Sequence, residues 1–147
     1  MFIFCFCFLA NRLHFAADDA AALFHPNGEN VTTLGWHSST AVELTSTCVV
    51  AIEALNNSPG PMGLIASTDD GVVTDDTWRC TSQEEADWFS ETFDDSHWPS
   101  AHAWFENGGG GMGMREDIDS NANWIWTENQ NDQTVYCRKQ LCSGTLF

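Results

Sequence analysis

Short apolar runs separated by turn signals are the feature that most constrains the fold of this chain. Leu13–Ala17 alternates at the two-residue period of a half-buried strand, and Cys48–Ala54 is rich in the β-branched residues that suit a pleated, buried surface. Pro26–Gly28 and Thr68–Gly71 are turn sequences. Because such runs recur at spacings of about eight to twelve residues, the chain is predicted to be all-β, either a sandwich or a barrel.

The sequence also predicts further strands and one short helix. The helix falls on Ser82–Thr92, where Ser82 and Glu85 have the spacing of a capping box and acidic residues fill the first turn. Asn107–Gly113 is too rich in glycine for the interior of an element and is predicted to be a loop. The remaining predicted strands are Ala20–Phe24, Val42–Leu44, Leu64–Ala66, Thr77–Thr81, Trp124–Trp126 and Thr134–Leu141.

The charge balance excludes several classes of partner. Acidic side chains outnumber basic ones by 21 to 5, which gives a formal net charge of −16. Nucleic acids and anionic membrane surfaces are bound through lysine and arginine, so neither is a predicted partner. An acidic surface is compatible with cations, Ca²⁺ above all, and with neutral ligands such as sugars. The hydrophobic content of 43% is enough to build a core.

Six cysteines in a chain of 147 residues indicate an oxidising, extracellular compartment. They are Cys5, Cys7, Cys48, Cys80, Cys137 and Cys142. None forms a CxxC pair, and no histidine lies at zinc-ligand spacing from two of them, which argues against a zinc site. The last four are predicted to form disulfides, although the number of cysteines leaves the connectivity open. Two sequons, Asn30-Val31-Thr32 and Asn56-Asn57-Ser58, fit the same secreted route.

Residues 1–12 are set apart from the rest by the apolar run MFIFCFCFLA. The run is too short to span a bilayer, but it is about as long as the apolar region of a signal peptide, although no positive charge precedes it. The alternative is an N-terminal strand of a truncated domain or a gene-model start. Residues 13–147 are predicted to form one domain, and no membrane insertion is predicted.

A family resemblance narrows the fold further. The phrase Phe93–Ala101 (FDDSHWPSA) is followed by Ala122–Trp126 (ANWIW), and the upstream segment Ala17–Ala20 (ADDA) precedes Asn27-Gly28. In this order, the motifs resemble galactose-binding-like, jelly-roll β-sandwich domains of secreted proteins and glycosidase accessory modules, over roughly Leu13 to Leu141. Such domains usually begin with further strands before the ADD segment. The resemblance therefore implies a sandwich that either lacks its first strands or takes one from the N-terminal run.

Disulfides and a metal site follow from the resemblance. Cys80 lies in the strand-like segment WRC and Cys137 in VYCRK, and they are the preferred pair. Cys142 could reach Cys48, and the alternative for all four is buried reduced thiols. Domains of this kind often hold a structural Ca²⁺ in a loop, and the candidate ligands are Asp18, Asp19, Asp94 and Asp95. The alternative is that these aspartates cap turns, and this is favoured for Asp94 and Asp95.

Loop aromatics are the candidate ligand-binding residues. Sugar rings stack on exposed aromatic faces, and Trp36, Trp88 and Trp104 lie in or near predicted loops, with Asn107 as a polar neighbour. The alternative for each tryptophan is structural packing. Trp124 and Trp126 are predicted to face one side of their strand and Ile125 the other, so that both faces of the strand would be partly covered.

Catalytic motifs are absent from the sequence. It contains no GxSxG, HExxH or phosphate-binding glycine loop, and the adjacent aspartates of a strand point apart rather than forming a catalytic pair. The predicted function is therefore a non-catalytic extracellular module that binds the carbohydrate of a glycan or glycoprotein. The alternatives are a structural or protein-interaction module of the extracellular matrix or cell surface, and an accessory domain of a larger glycosidase.

Overall fold

The computed structural model describes residues 11–35, 37–44 and 47–142. These residues form strands in two antiparallel five-stranded sheets, which confirms the all-β sandwich prediction. No helix among them has the length and apolar character needed to cross a bilayer. The strands are β1 (Asn11–Asp18), β2 (Ala20–Phe24), β3 (Asn30–Leu34), β4 (Thr40–Leu44), β5 (Val49–Leu55), β6 (Gly63–Thr68), β7 (Arg79–Thr81), β8 (His102–Glu106), β9 (Asn123–Trp126) and β10 (Thr134–Gln140).

The two sheets enclose the main hydrophobic core. The first sheet has the strand order β4-β1-β6-β9-β8 and the second has the order β3-β2-β5-β10-β7. Alternate residues of the central strands fill the space between the sheets, as the two-residue period requires, with Leu13 and Phe15 from β1 facing Ile52 from β5 and Val135 from β10. All four of these side chains are fully buried.

An aromatic segment covers the outer face of the second sheet. This aromatic cover, residues 82–100, packs Trp88 and Trp98 onto Ala51 and Tyr136. The predicted helix at Ser82–Thr92 is wrong, because the segment runs through successive turns. One physical reason is Asp87, whose φ of 60° lies in the left-handed region that a right-handed helix cannot contain.

The buried Arg138 of β10 holds the aromatic cover in place. Its guanidinium donates to the backbone carbonyl oxygens of Trp88 and Ser90 and to that of Phe93. It also donates from Nε to Oδ2 of Asp95 at 3.0 Å, and its Cζ lies 5.0 Å from the ring centroid of Phe93. A buried charge is tolerated only when it is paired and hydrogen-bonded, so this one side chain fixes the path of the segment above it.

A glycine-rich segment covers the outer face of the first sheet. This glycine-rich cover, residues 107–122, places Met112 and Ile118 against Ile65 and Trp124. Glycine is required where the packing is closest: a Cβ built on Gly110 would lie 2.6 Å from the ring of Phe105, and its φ is +65°. Both outer faces of the sandwich are therefore shielded by loop segments.

The prediction that Trp124 and Trp126 of β9 face the same side is wrong. Trp124 packs into the cluster beneath the glycine-rich cover, whereas Trp126 belongs to the inter-sheet core together with Ile125. The two indoles therefore do not share one face. Trp126 is the last residue of β9, where the alternation of the strand ends, and its Nε1 donates to the carbonyl oxygen of Asp132 in the following loop.

Both predicted disulfides are present. Cys80 of β7 and Cys137 of β10 are direct cross-strand partners and are bonded to each other. Cys48, just before β5, is bonded to Cys142, just after β10. Both bonds join segments flanking or lying within the second sheet, whereas Cys5 and Cys7 lie outside the described residues.

Candidate functional site

A polar cleft lies at the end of the sandwich where two loops meet. One loop joins β5 to β6 and the other joins β9 to β10, and they meet because β5 and β10 are neighbours in the second sheet. The pairing continues past the strand ends, since the backbone N–H of Asn56 donates to the carbonyl oxygen of Gln133 at 2.8 Å. This amide cleft has a volume of about 280 Å³, and its lining residues are Asn56, Asn57, Ser58, Pro59, Gly60, Gln130, Asn131, Asp132 and Gln133.

The β9–β10 side of the amide cleft is held in shape by its own hydrogen bonds. The carboxylate of Asp132 accepts from Oγ1 of Thr127 at 2.6 Å and from Nδ2 of Asn129 at 3.2 Å. The backbone N–H of Asn131 donates to Oδ1 of Asn129 at 3.0 Å. The exposed Gln130, Asn131 and Gln133 therefore project from a preformed loop.

Asn56 is the most unusual residue of the amide cleft. It is 9% exposed, and its side-chain oxygen Oδ1 is buried with no hydrogen-bond partner among the described residues. Leaving a buried acceptor unpaired costs about 1–3 kcal/mol. Because this oxygen is itself inaccessible, a ligand hydroxyl or amide N–H could supply the missing donor only if the Asn56 side chain turned toward the cleft.

A pair of aspartates supports the β5–β6 side of the amide cleft. Oδ2 of Asp19 accepts hydrogen bonds from the backbone N–H groups of Asn57 at 2.7 Å and Ser58 at 3.0 Å. Burial alone would raise the pKa of Asp19, but hydrogen bonds from Asp18 and from these backbone groups lower it. The neighbouring Asp18 is 8% exposed, and burial, followed by its hydrogen bond to Asp19 and the charge of Asp19, raises its pKa to about 6.

The two aspartates also line a second cavity on the other side of the β5–β6 loop. Its volume is about 300 Å³, and the glycine-rich cover closes it through Gly111 and Met112. No group of three or more His, Cys, Asp or Glu side chains within residues 11–35, 37–44 and 47–142 is placed to share a metal ion. Calcium at Asp18 and Asp19 therefore stays a prediction.

Asp94 and Asp95 have structural partners. Oδ1 of Asp94 accepts from the backbone N–H of Ser96 at 2.9 Å, which is the turn geometry that the sequence favoured for this pair. Asp95 forms ion pairs with Arg138 at 3.0 Å and with Arg79 at 3.8 Å. Turn geometry accounts for the contacts of Asp94, whereas the carboxylate of Asp95 pairs with two arginines, and calcium at these two residues stays a prediction.

The predicted tryptophan site is only partly assembled. Trp36 lies outside the described residues. Trp88 is 2% exposed and packs edge-on against Phe24 at 5.2 Å and Tyr136 at 5.1 Å between ring centroids. A role for Trp88 in ligand contact does not fit this burial, because the indole has no accessible face. The turn sequence around it gave no signal that the chain folds back over the sheet.

Trp104 and Asn107 do lie next to each other. They line a wide depression of about 560 Å³ with Phe105 and Met114, bounded by Gly108–Gly110. The half-buried indole of Trp104 lies 4.2 Å from the ring centroid of His102, and its Nε1 donates to the carbonyl oxygen of Thr127.

The side chain of Asn107 forms its hydrogen bonds within the glycine-rich cover. Its Nδ2 donates to the carbonyl oxygens of Arg115 at 3.0 Å, Ile118 at 3.1 Å and Asp119 at 3.2 Å. Its Oδ1 accepts from the backbone N–H of Arg115 at 2.8 Å. The predicted role of Asn107 in ligand binding does not fit these contacts, since both polar atoms of its side chain are occupied.

One curated relative gives a distant match to this chain. An α-L-rhamnosidase of Streptomyces avermitilis is 29% identical over 125 residues, and the match covers 76% of this chain. The chain spans only 12% of the length of that relative. No protein-family model matches the chain, and no solved structure matches it. The distant match and the two-sheet architecture together fit a β-sandwich of the glycosidase accessory type.

Proposed function

We propose that this chain is a non-catalytic extracellular module that binds the carbohydrate of a glycan or glycoprotein in the amide cleft. The observation that carries the proposal is the amide lining of the cleft around the buried, unpaired Oδ1 of Asn56. Sugar hydroxyls both donate and accept hydrogen bonds, and so do the side-chain amides of Asn57, Gln130 and Asn131. The partial match to a glycosidase supports a carbohydrate-related role.

The size and charge of the amide cleft define the ligand. A volume of about 280 Å³ is at the lower end for small-molecule pockets, so the cleft is suited to one sugar unit at the end of a chain. None of the five basic residues of the protein lines it, which disfavours an acidic sugar. A neutral terminal sugar is the ligand that these properties favour.

A binding role is favoured over catalysis. Glycoside hydrolysis uses two carboxyl groups that flank the scissile bond. Asp132 contributes the one carboxylate among the lining residues of the amide cleft, and Thr127 and Asn129 both donate to it. The two disulfides support an extracellular location, because such bonds persist in oxidising compartments.

A glycan-array screen of the folded, oxidised protein tests the proposal, run once with Ca²⁺ and once with EDTA. We expect dose-dependent binding to neutral glycans, and the EDTA arm tests the predicted calcium. Asn56→Ala and Asn131→Ala should each weaken the affinity for the best glycan by about tenfold, which corresponds to about 1.4 kcal/mol. Gln83→Ala, which removes an exposed amide from the aromatic cover, is the matched control and should leave binding unchanged.

A further variant separates the amide cleft from the tryptophan depression. Trp104→Ala removes the indole of the depression and keeps every lining residue of the amide cleft, although it also removes the hydrogen bond to the carbonyl oxygen of Thr127 in the β9–β10 loop. If Trp104→Ala abolishes binding while Asn56→Ala does not, the sugar site lies at the depression and the cleft proposal is wrong. Folded protein that binds no glycan in either arm would favour a structural or protein-interaction module.

A further inference from the structure

The structure separates the two glycosylation sequons by exposure. Asn30 and Thr32, which form the first sequon, are both exposed on β3 directly after the β2–β3 turn. The second sequon begins at Asn56, which is 9% exposed in the amide cleft and is held by its backbone hydrogen bond to Gln133. The amide of Asn56 is therefore much less accessible to a modifying enzyme than that of Asn30.

The register of β3 defines the direction in which the first sequon points. Asn30 pairs with Phe24 of β2, and directly opposed residues of an antiparallel pair lie on the same face. Phe24 packs under the aromatic cover, so Asn30 also lies on the outer face of the second sheet. Because β3 is the edge strand, the sequon stands at the margin of that face, beside the cover. The side-chain amide of Asn30 makes no hydrogen bond within the part of the chain that the structure describes.

The surface next to the sequon suits the first sugars of a glycan. Thr32 and Leu34 follow Asn30 on the same face at two-residue spacing, opposite the small residues Ala22 and Ala20. Leu34 is 75% exposed and is one of two large apolar side chains that lie exposed among the described residues. The apolar face of a sugar ring attached to Asn30 could pack along this strip toward Leu34.

We infer that Asn30 is an acceptor for an N-linked oligosaccharide and that Asn56 is not. In this transfer, Nδ2 of Asn30 forms a bond to the anomeric carbon of a lipid pyrophosphate-linked oligosaccharide. The bond from that carbon to the phosphate oxygen breaks, the lipid pyrophosphate leaves with the electron pair, and the amide nitrogen loses one proton. The lipid-linked oligosaccharide is a component of the secretory route, which the two disulfides favour for this protein. Glycosylation of Asn30 does not depend on sugar binding in the amide cleft.

The test is expression of the full chain behind a secretion signal in a eukaryotic host, followed by intact-mass measurement before and after treatment with an amide-cleaving glycosidase. We expect the secreted protein to lose one glycan mass on treatment. Peptide mapping in heavy-oxygen water should place the resulting aspartate at position 30.

Four variants complete the test. Asn30→Gln and Thr32→Ala should abolish the mass shift, and Thr32→Ser should retain it because the hydroxyl of the sequon is kept. Asn56→Gln should leave the shift unchanged. Secreted, disulfide-bonded protein that carries no cleavable glycan, or whose glycan maps to Asn56, would overturn the inference.

Discussion

Replacement of Asp18 by asparagine should stabilise the protein at neutral pH and change little at acidic pH. Asp18 is almost fully buried beside Asp19, which itself holds two backbone N–H groups of the β5–β6 loop. When Asp18 is protonated, its hydroxyl can donate to the carboxylate of Asp19; when it is ionised, two negative charges are held together in a poorly solvated position. The amide of an asparagine imitates the protonated form at every pH.

The magnitude follows from the raised pKa of Asp18. Its pKa is about 6 in the folded protein, compared with an ordinary value of 3.8, so between these values the folded state binds more protons than the unfolded state. The stability that Asp18 contributes is therefore complete below about pH 4 and is lost as the pH rises through 6. The difference in pKa corresponds to about 3 kcal/mol. Asp19, whose pKa is lowered, loses its contribution only at pH values below this window.

Urea denaturation gives the free energy of unfolding of the wild type and of Asp18→Asn at each pH, measured from pH 4.5 to pH 8 in steps of about half a pH unit. The difference in free energy of unfolding should grow from about 1 kcal/mol at the acidic end to about 3 kcal/mol at the alkaline end. Asp76→Asn, which neutralises an exposed carboxylate in the turn before β7, is the control and should follow the wild type at a constant offset. Parallel curves for Asp18→Asn and the wild type would refute the reasoning.

Three further substitutions test the packing by urea denaturation. Gly63→Ala would place a Cβ 2.9 Å from the indole of Trp124 and should cost about 1–3 kcal/mol; a neutral result would mean that the first sheet yields at this point. Arg138→Met leaves the half-buried carboxylate of Asp95 with one more distant arginine, Arg79, and should cost about 3 kcal/mol; a gain in stability would contradict an anchoring role. Joint replacement of Cys80 and Cys137 by alanine opens a loop of 57 residues while the Cys48–Cys142 disulfide remains, and it should cost about 4 kcal/mol relative to the wild type; an unchanged stability would contradict this estimate.

The central strands could be predicted from the sequence because their pattern reflects burial. Leu13–Ala17 and Cys48–Ala54 belong to β1 and β5, which lie inside their sheets and face the core. Strands β3 and β8 were not predicted. Both are edge strands whose residues are largely exposed or half-exposed, so their backbone pairing leaves little apolar pattern in the sequence. A register shift between Ala103 and Phe105 further breaks the alternation of β8.

The candidate site was harder to predict than the fold. The amide cleft needs both the β5–β6 loop and the β9–β10 loop, and the two meet only because β10 lies beside β5. Tryptophans were chosen for their apparent loop positions, and Trp88 shows the weakness of that reasoning. A segment without secondary structure can still be buried when it folds over a sheet. Arg138, which binds the carbonyl oxygen of Trp88, lies 50 residues away from it in the sequence.

The two loop covers determine how this module can be joined to others. A sandwich with a bare outer face can stack sheet against sheet on a neighbouring domain, but here both outer faces are already occupied by the chain's own side chains. Close contact with another domain or protein is left to the strand edges and to the loop-bearing ends. A neighbour attached at the end opposite the amide cleft would leave the cleft facing outward, and the orientation of the two domains would then control which ligands have access to it.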